Sequence, residues 1–377
     1  MKDLTITAFS KEVVESVCSK REVPSKLNLA SMFHDVCAGT YHIQPPRIVK
    51  VPKDNGGIRE LTVCTDKDRF LLAMVNEAWF KLFGDRVSEA CTSYRTGCST
   101  ASTVKKMHKH LGYGYKLDLS KYFDSVPRVV LNEALESICT YTPLDAVIYD
   151  FYNDDCVVEN KSIVTKYKSL GQGCATSAFL ADYILCNIDD EMSHVCGYYC
   201  RYSDDMLIIS PDADEILGML EHRLSLLGLQ LNPSKVQQID ENTPFKFLGF
   251  EIDGDKINIA PSTLQQKKKD VKHVCKMHKG NLSKALKEVQ KLFFSTNYPT
   301  HGWLYSKCQA VNQLDRIIEL DTYCKDCLRA CATGTWNYTH NIHAVDLEKA
   351  GWVSLTHMAK MAWQDSTLFE AEQLIRL

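Results

Sequence analysis

Three aspartates are the residues of this chain best suited to chemistry. Tyr202-Ser203-Asp204-Asp205 lies between two strand-like runs, Gly197-Tyr198-Tyr199-Cys200-Arg201 and Met206-Leu207-Ile208-Ile209. Two apolar runs around a two-residue acidic tip, Asp204-Asp205, predict a β-hairpin. Adjacent carboxylates repel each other unless a cation sits with them, and hard divalent cations prefer oxygen ligands of this kind. A third carboxylate, Asp118, lies at the end of a short alternating strand, Tyr113 to Leu119. On a neighbouring strand of one sheet, Asp118 and Asp204 would hold two divalent ions ~3.5–4 Å apart. Such a pair activates an attacking oxygen and stabilises the leaving one. The chemistry is in-line phosphoryl transfer, in which positioning and charge neutralisation supply most of the catalysis.

Lys116-Leu117-Asp118-Leu119-Ser120-Lys121-Tyr122-Phe123-Asp124, followed by the Tyr202–Asp205 hairpin, resembles the core of a right-hand nucleic-acid polymerase, and specifically of a reverse transcriptase. The resemblance runs from about Gln44 to Asp253, as blocks in the family's order. It implies catalytic Asp118, Asp204 and Asp205, with Leu119 beside them in the metal-binding set, and two Mg²⁺ ions with Mn²⁺ as a substitute. Lys53-Asp54-Asn55-Gly56-Gly57-Ile58-Arg59 looks like the fingers hairpin, with Lys53 and Arg59 gripping the triphosphate; Arg suits bidentate phosphate contact. Tyr94-Arg95-Thr96-Gly97 looks like a template-contacting block, and Gly171-Gln172-Gly173 like the loop that places Gln172 by the nucleotide and Gly173 by the template and primer. Asn232-Pro233-Ser234-Lys235 resembles the block whose lysine faces the triphosphate as proton donor to pyrophosphate. Phe245-Lys246-Phe247-Leu248-Gly249-Phe250 resembles a primer-grip hairpin, through Phe247, Leu248 and Gly249.

Phe123 bears on substrate choice. In this family an aromatic at its position lies under the sugar and excludes a 2′-hydroxyl. Phe offers no hydrogen-bonding atom, so a hydroxyl buried against it loses its partners. The resemblance therefore implies dNTPs, an RNA template and an RNA–DNA duplex product. An RNA-directed RNA polymerase, and a degenerate polymerase serving as an RNA-binding scaffold, are the competing readings. Tyr122 reads equally well as a core aromatic.

The implied fold is α+β: a right-hand polymerase with fingers, an antiparallel-sheet palm of RRM-like type and a helical thumb. The expected division is 1–45 helical extension, 46–112 fingers, 113–250 palm and 251–377 thumb. Apolar spacing predicts helices from about Lys67 to Phe83 (capped by Asp66, ended by Gly84), Pro127 to Tyr152, Ala178 to Ile188 and Ala213 to Leu227, with a strand hairpin from Val157 to Lys168. Near the end of the chain, Trp352, Trp363, Phe369 and Leu374 call for burial.

At 377 residues, 45% apolar and 24% charged, the composition is ordinary for a globular protein of two or three cores. The longest apolar run, Phe70 to Val75, is too short for a membrane span, and Met1 to Thr5 lacks the look of a secretory signal. Sixteen scattered cysteines then read as reduced thiols in a cytoplasmic protein. Cys324, Cys327 and Cys331, with His340 and His343 downstream, allow a zinc site, yet the spacing equally describes the buried face of a helix.

Net charge is −3, but Lys256 to Lys291 holds ten lysines against Asp270 and Glu288, a net +8 beside a remainder of −11. Lys267, Lys268, Lys272, Lys276 and Lys279 are helix-spaced. Lys268, Lys272 and Lys276 are the expected contacts to a duplex backbone, whose neutralised phosphates make affinity salt-dependent. Protease, RNase H and integrase patterns, intron maturase length and the Val-Thr-Gly retron signature are not evident. Gly171-Gln172-Gly173 departs from the loop common in diversity-generating retroelements, although those and retrons stay as alternatives within the family. The remaining expectation is a stand-alone bacterial enzyme working with a structured non-coding RNA, some of whose kin act in antiphage defence.

Overall fold

Residues 2–52, 56–295, 302–333 and 342–364 are described by a computed structural model. Lys53, His340, Phe369 and Leu374 lie outside the described residues. The chain forms two compact units, Met1–Tyr94 with Tyr115–Gln237, and Arg95–Gly114 with Gln238–Leu377. Residues 95–114 therefore pack with the C-terminal part of the chain.

In the first unit, β1 (Arg47–Pro52) and β2 (Ile58–Val63) pair as an antiparallel hairpin. Next in the chain come β3 (Gly114–Asp118), then β4 (Cys156–Glu159) and β5 (Ser162–Thr165). The β4–β5 hairpin adds to β1 in parallel, giving the order β2-β1-β4-β5. Asn160 and Lys161, with φ of 51° and 67°, make the tight turn between β4 and β5, as a two-residue hairpin loop requires. β6 (Tyr198–Tyr202) and β7 (Asp205–Ile209) are antiparallel, and β6, β7 and β3 lie side by side in that order.

The Asp66–Phe83 helix underlies this unit, with Phe70, Leu71, Met74, Val75, Ala78 and Trp79 buried. Its N-cap is Thr65, whose Oγ1 accepts from Asp68 N–H at 3.2 Å, rather than Asp66. Asn76 on this helix accepts from the Phe179 N–H at 3.1 Å, fixing the start of the Ser177–Ile184 helix. The single helix expected from Pro127 to Tyr152 is two, Arg128–Ser137 and Pro143–Asn153. Tyr141 takes a φ of 58°, and a Thr142/Asp145 capping box with Pro143 starts the second helix, the usual chemistry of a fresh N-terminus. Likewise, the Ala178 to Ile188 pattern is divided between Ser177–Ile184 and Cys186–Val195. Ala213–Leu226 is one helix, closed by Gly228 at φ 67°.

In the second unit, strands Phe245–Phe247, Phe250–Asp253 and Lys256–Ile259 form a three-stranded antiparallel sheet. The Pro261–Met277 helix packs on Asp315–Thr333. Cys324, Cys327 and Cys331 all lie on the buried face of the latter, and Cys275 is buried on the former. His343 caps the Ala344–Lys349 helix. Among the described residues no three or more His, Cys, Asp or Glu side chains are arranged to hold a metal ion. Cys324, Cys327 and Cys331 thus contribute to the packing of this helix. Asp321, also buried, accepts from Trp352 Nε1, Leu355 N–H and Ser354 Oγ at 3.3, 2.9 and 3.0 Å, which docks the segment after Gly351. Trp352 is buried as expected, whereas Trp363 is partly exposed and donates to the Cys308 carbonyl. No helix among the described residues is long and apolar enough to cross a membrane.

Candidate active site

Asp118 is the last residue of β3, an inner strand of its sheet beside β7, and is 4% exposed. The hairpin turn that faces it is Ser203-Asp204, because Tyr202 pairs with Asp205. The acidic pair is thus divided: Asp204 is in the turn, and Asp205 is the first residue of β7. Ser203 supplies the left-handed φ, 59°, that closes the turn. Leu119 N–H donates to the Asp204 carbonyl at 3.0 Å, which ties the hairpin to the end of β3.

Lys235 arrives by backbone pairing. Ser120 N–H donates to the Gln230 carbonyl and Asn232 N–H to the Asp118 carbonyl, both at 2.8 Å, around a Leu119–Leu231 bridge. Asn232 then caps the short turn Pro233–Lys235, accepting from Ser234 N–H. The turn brings Lys235 Nζ to Asp118 Oδ2 at 2.5 Å.

Electrostatics in this cluster are dominated by burial of like charges. Burial, then the charge of Asp118, raises the Asp204 pKa. Asp205 is pushed up to about 6, by burial first and by Asp204 second. Burial works against the charge of Lys235, but the bond to Asp118 and the nearby Asp204 and Asp205 outweigh it, so its pKa rises. Three carboxylates and one lysine leave excess negative charge in a half-buried place. Oxygen donors in that state suit a hard divalent cation, although among the described residues no three or more His, Cys, Asp or Glu side chains are grouped to hold one.

Around the cluster, Phe123 is half-buried in the short Tyr122–Ser125 helix, its ring edge-on to Tyr122 at 5.7 Å. Tyr122 is core: it is 1% exposed and donates to the Ala181 carbonyl at 2.7 Å. Ser169 Oγ and Tyr167 OH both donate to the Val126 carbonyl, holding the strand-to-loop segment before Gly171 against this helix. Gln172 presents its carbonyl to Thr62 N–H of β2 at 2.7 Å. Gly171 has a φ of 74°, and a Cβ there would lie 3.1 Å from Thr62 Oγ1, so this close approach requires glycine. Arg59, three residues before Thr62 on β2, is exposed. Asp118 is thus bonded to Lys235 and Leu119 to Asp204, and Phe123, Gln172 and Asp205 lie in the same unit.

The other expected contacts are divided between the two units. Tyr94 belongs to the first unit, with its OH 3.4 Å from Ser203 Oγ, and Arg95 opens the second. Phe247 is buried, and Leu248 and Gly249, with φ of 49° and 79°, form a tight turn. Lys268 is not an open basic contact: it pairs with Glu319 at 2.5 Å and lies over the Tyr323 ring. Lys272 and Lys276 are exposed.

Sheet, acidic turn and helices of this arrangement are those of a right-hand polymerase fold. A family model described as "Reverse transcriptase (RNA-dependent DNA polymerase)" matches residues 51–252. The chain belongs to the reverse transcriptase family. It is 32% identical over 108 residues to the Gag-Pro-Pol polyprotein of Mason-Pfizer monkey virus, a match covering 27% of this chain and 6% of that polyprotein. The putative COX1/OXI3 intron 1 protein of Saccharomyces cerevisiae is 19% identical over 285 residues, covering 59% of this chain and 34% of that protein. The chain thus matches at most about a third of the length of these two relatives. Among solved structures, apo telomerase from Candida tropicalis aligns with a TM-score of 0.50 at 12% identity, over 97% of this chain and 72% of that one. At that identity the likeness is one of fold.

Proposed function

We propose that this protein is an RNA-directed DNA polymerase that adds dNTPs to a 3′ end. The observation that carries the reading is the convergence of Asp118 and Asp204, from a strand end and a hairpin turn bonded through Leu119 N–H to the Asp204 carbonyl. Asp118 and Asp204 would hold two Mg²⁺ ions, with Leu119 and Asp205 beside them and Mn²⁺ as a substitute. When bound, such ions supply charge at the attacking and leaving oxygens. Lys235 would exchange its bond with Asp118 for contact with the triphosphate and carry a proton towards pyrophosphate. Arg59 would grip the triphosphate with Lys53, Gln172 would lie by the base and sugar, and Phe123 would exclude a 2′-hydroxyl.

Residues 1–45, 46–112, 113–250 and 251–377 would act as extension, fingers, palm and thumb. Tyr94, Arg95, Gly173 and Phe247 to Gly249 would contact template and primer. Lys272 and Lys276 would lie on the duplex backbone, held there by the +8 segment from Lys256 to Lys291. That local charge also supports a dedicated structured RNA as partner, in a cytoplasmic setting. A role in antiphage defence is the finer part of the proposal.

The decisive experiment is primer extension on an RNA template with dNTPs, by wild type and Asp204→Asn, with and without Mg²⁺. Extension that requires both the metal and Asp204 supports the reading; extension by the variant at the wild-type rate overturns it. Plating of phage on cells carrying either form tests the defence role, which needs protection by wild type alone.

A further inference from the structure

Arg201 is fully buried on β6, three residues before Asp204. All three of its guanidinium nitrogens donate. Nε and Nη2 grip the Asp189 carboxylate, the shortest contact being 2.6 Å. Nη2 also reaches the Asp182 carbonyl at 3.0 Å, and Nη1 reaches the Ala181 carbonyl at 3.4 Å and the Ser203 carbonyl at 3.0 Å.

Ser203 is the residue that needs holding. Its left-handed backbone is unfavourable for a side chain with a Cβ and persists only where the surroundings impose it. Its N–H donates to Ser93 Oγ at 2.9 Å, its carbonyl accepts from Arg201, and its Oγ lies 3.4 Å from Tyr94 OH. Ser93 in turn donates to Asp182 Oδ1 at 2.6 Å. The next residue, Asp204, is fixed at its carbonyl by Leu119 N–H. A buried charged network is a poor device for stability alone, because apolar packing of equal volume often does as well or better. This one also leaves Asp182 Oδ2 buried without a partner. What apolar packing cannot provide is a donor aimed at the Ser203 carbonyl.

We infer that Arg201 is a positioning residue: braced by Asp189, it fixes the Ser203 turn and so sets where the Asp204 carboxylate stands relative to Asp118. Ser93 does the same for the other side of the peptide. The inference rests on the proposed role of Asp204 at the metal site. Arg201→Lys keeps the charge but loses the planar fork that serves Asp189 and Ser203 together. Ser93→Ala is the gentler change, removing the acceptor for the Ser203 N–H, the donor to Asp182 and the contact with Cys91 Sγ.

Both variants, with folding checked by circular dichroism and melting, are assayed by primer extension across a Mg²⁺ series. Folded Arg201→Lys should lose kcat by ~10- to 100-fold, the scale of a small misplacement of a reacting group. Its half-saturating Mg²⁺ concentration should rise, while KM for dNTP and Kd for primer–template change by less than about twofold. Ser93→Ala should move the same two quantities by less. A lowered melting temperature with wild-type kcat and Mg²⁺ requirement is what a purely structural network predicts, and it overturns the inference. If Arg201→Lys does not fold, Ser93→Ala decides on the same readouts. Asp204→Asn in parallel separates the two failures: activity retained there removes the site itself, whereas activity lost there with Arg201→Lys unaffected removes only the positioning role.

Discussion

Asp118 Oδ2 and Lys235 Nζ are 2.5 Å apart although 117 residues separate them in sequence. The carboxylate is buried and the lysine half-exposed. The backbone bonds of Asn232 to Asp118 and of Ser120 to Gln230 make this pairing local to the end of β3, so the lysine is held at the carboxylate that the proposed chemistry uses.

Lys235→Met should therefore leave Asp118 buried without its partner. In metal-free buffer stability should fall by about 1–2 kcal/mol, discounted from the fully buried case because the lysine is half in water. Saturating Mg²⁺ should restore most of the loss, since a bound cation replaces the missing charge. Melting temperatures with and without Mg²⁺ measure this. A loss that is equal in both conditions would separate Lys235 from the metal site.

Among the carboxylates, Asp118→Asn and Asp204→Asn should each reduce polymerisation by ~10³-fold or more, because each removes charge at the reacting phosphate. Asp205→Asn should be less severe. Asp205 is in the ladder with Tyr202, whereas Asp204 is the turn residue bonded to the end of β3. Single-turnover extension rates rank the three, and Asp205→Asn as the worst would exchange the roles.

Phe123→Val should raise incorporation of rNTP relative to dNTP while keeping much of the dNTP rate. The ring rests edge-on against buried Tyr122, so trimming it opens space without removing the core aromatic. Competition between the two nucleotides in one reaction gives the ratio. Equal use of both by wild type would favour the RNA-polymerase reading instead.

The basic helix yields a fourth prediction, and Lys268 has no part in it because of its bond to Glu319. Lys272→Glu with Lys276→Glu should weaken binding to RNA and lower the log–log salt slope in proportion to the phosphates no longer neutralised. Filter binding across a salt series measures both. Unchanged affinity and slope would make this helix face merely solvated.

Local chemistry made part of this molecule legible. Carboxylate type and strand period placed Asp118 at a strand end and Asp204 in a hairpin turn, and one apolar pattern gave the Asp66–Phe83 helix to within a residue. The division of Pro127 to Tyr152 had a readable signal, Thr142-Pro143 with Asp145 following, but continuous apolar spacing outweighed it. The pairing of Lys268 with Glu319, 51 residues away, is one that helical spacing carries no information about. Arg201 was legible only as a polar residue at the end of a strand. Its partners Asp182 and Asp189 come from helices packed beneath that strand, and no local pattern announces such a bond.

Asp182 provides a pH test of that buried network. Burial pushes its carboxyl up from 3.8 to about 6, with Arg201 pulling in the opposite direction and Ser93 and Cys91 donating to it. A carboxyl whose folded pKa is raised binds more protons folded than unfolded across that window. Its contribution to stability is therefore present at low pH and is lost as pH rises from 3.8 towards 6. Asp182→Asn should remove one such proton, changing the slope of unfolding free energy between these values by up to about 1.4 kcal/mol per pH unit. Asp189 is also raised by burial, against the pull of Arg201, so the variant should flatten the wild-type curve without abolishing its slope. Urea unfolding at several pH values gives both curves. Identical slopes would show that Asp182 does not titrate in this window and that Arg201 keeps it charged.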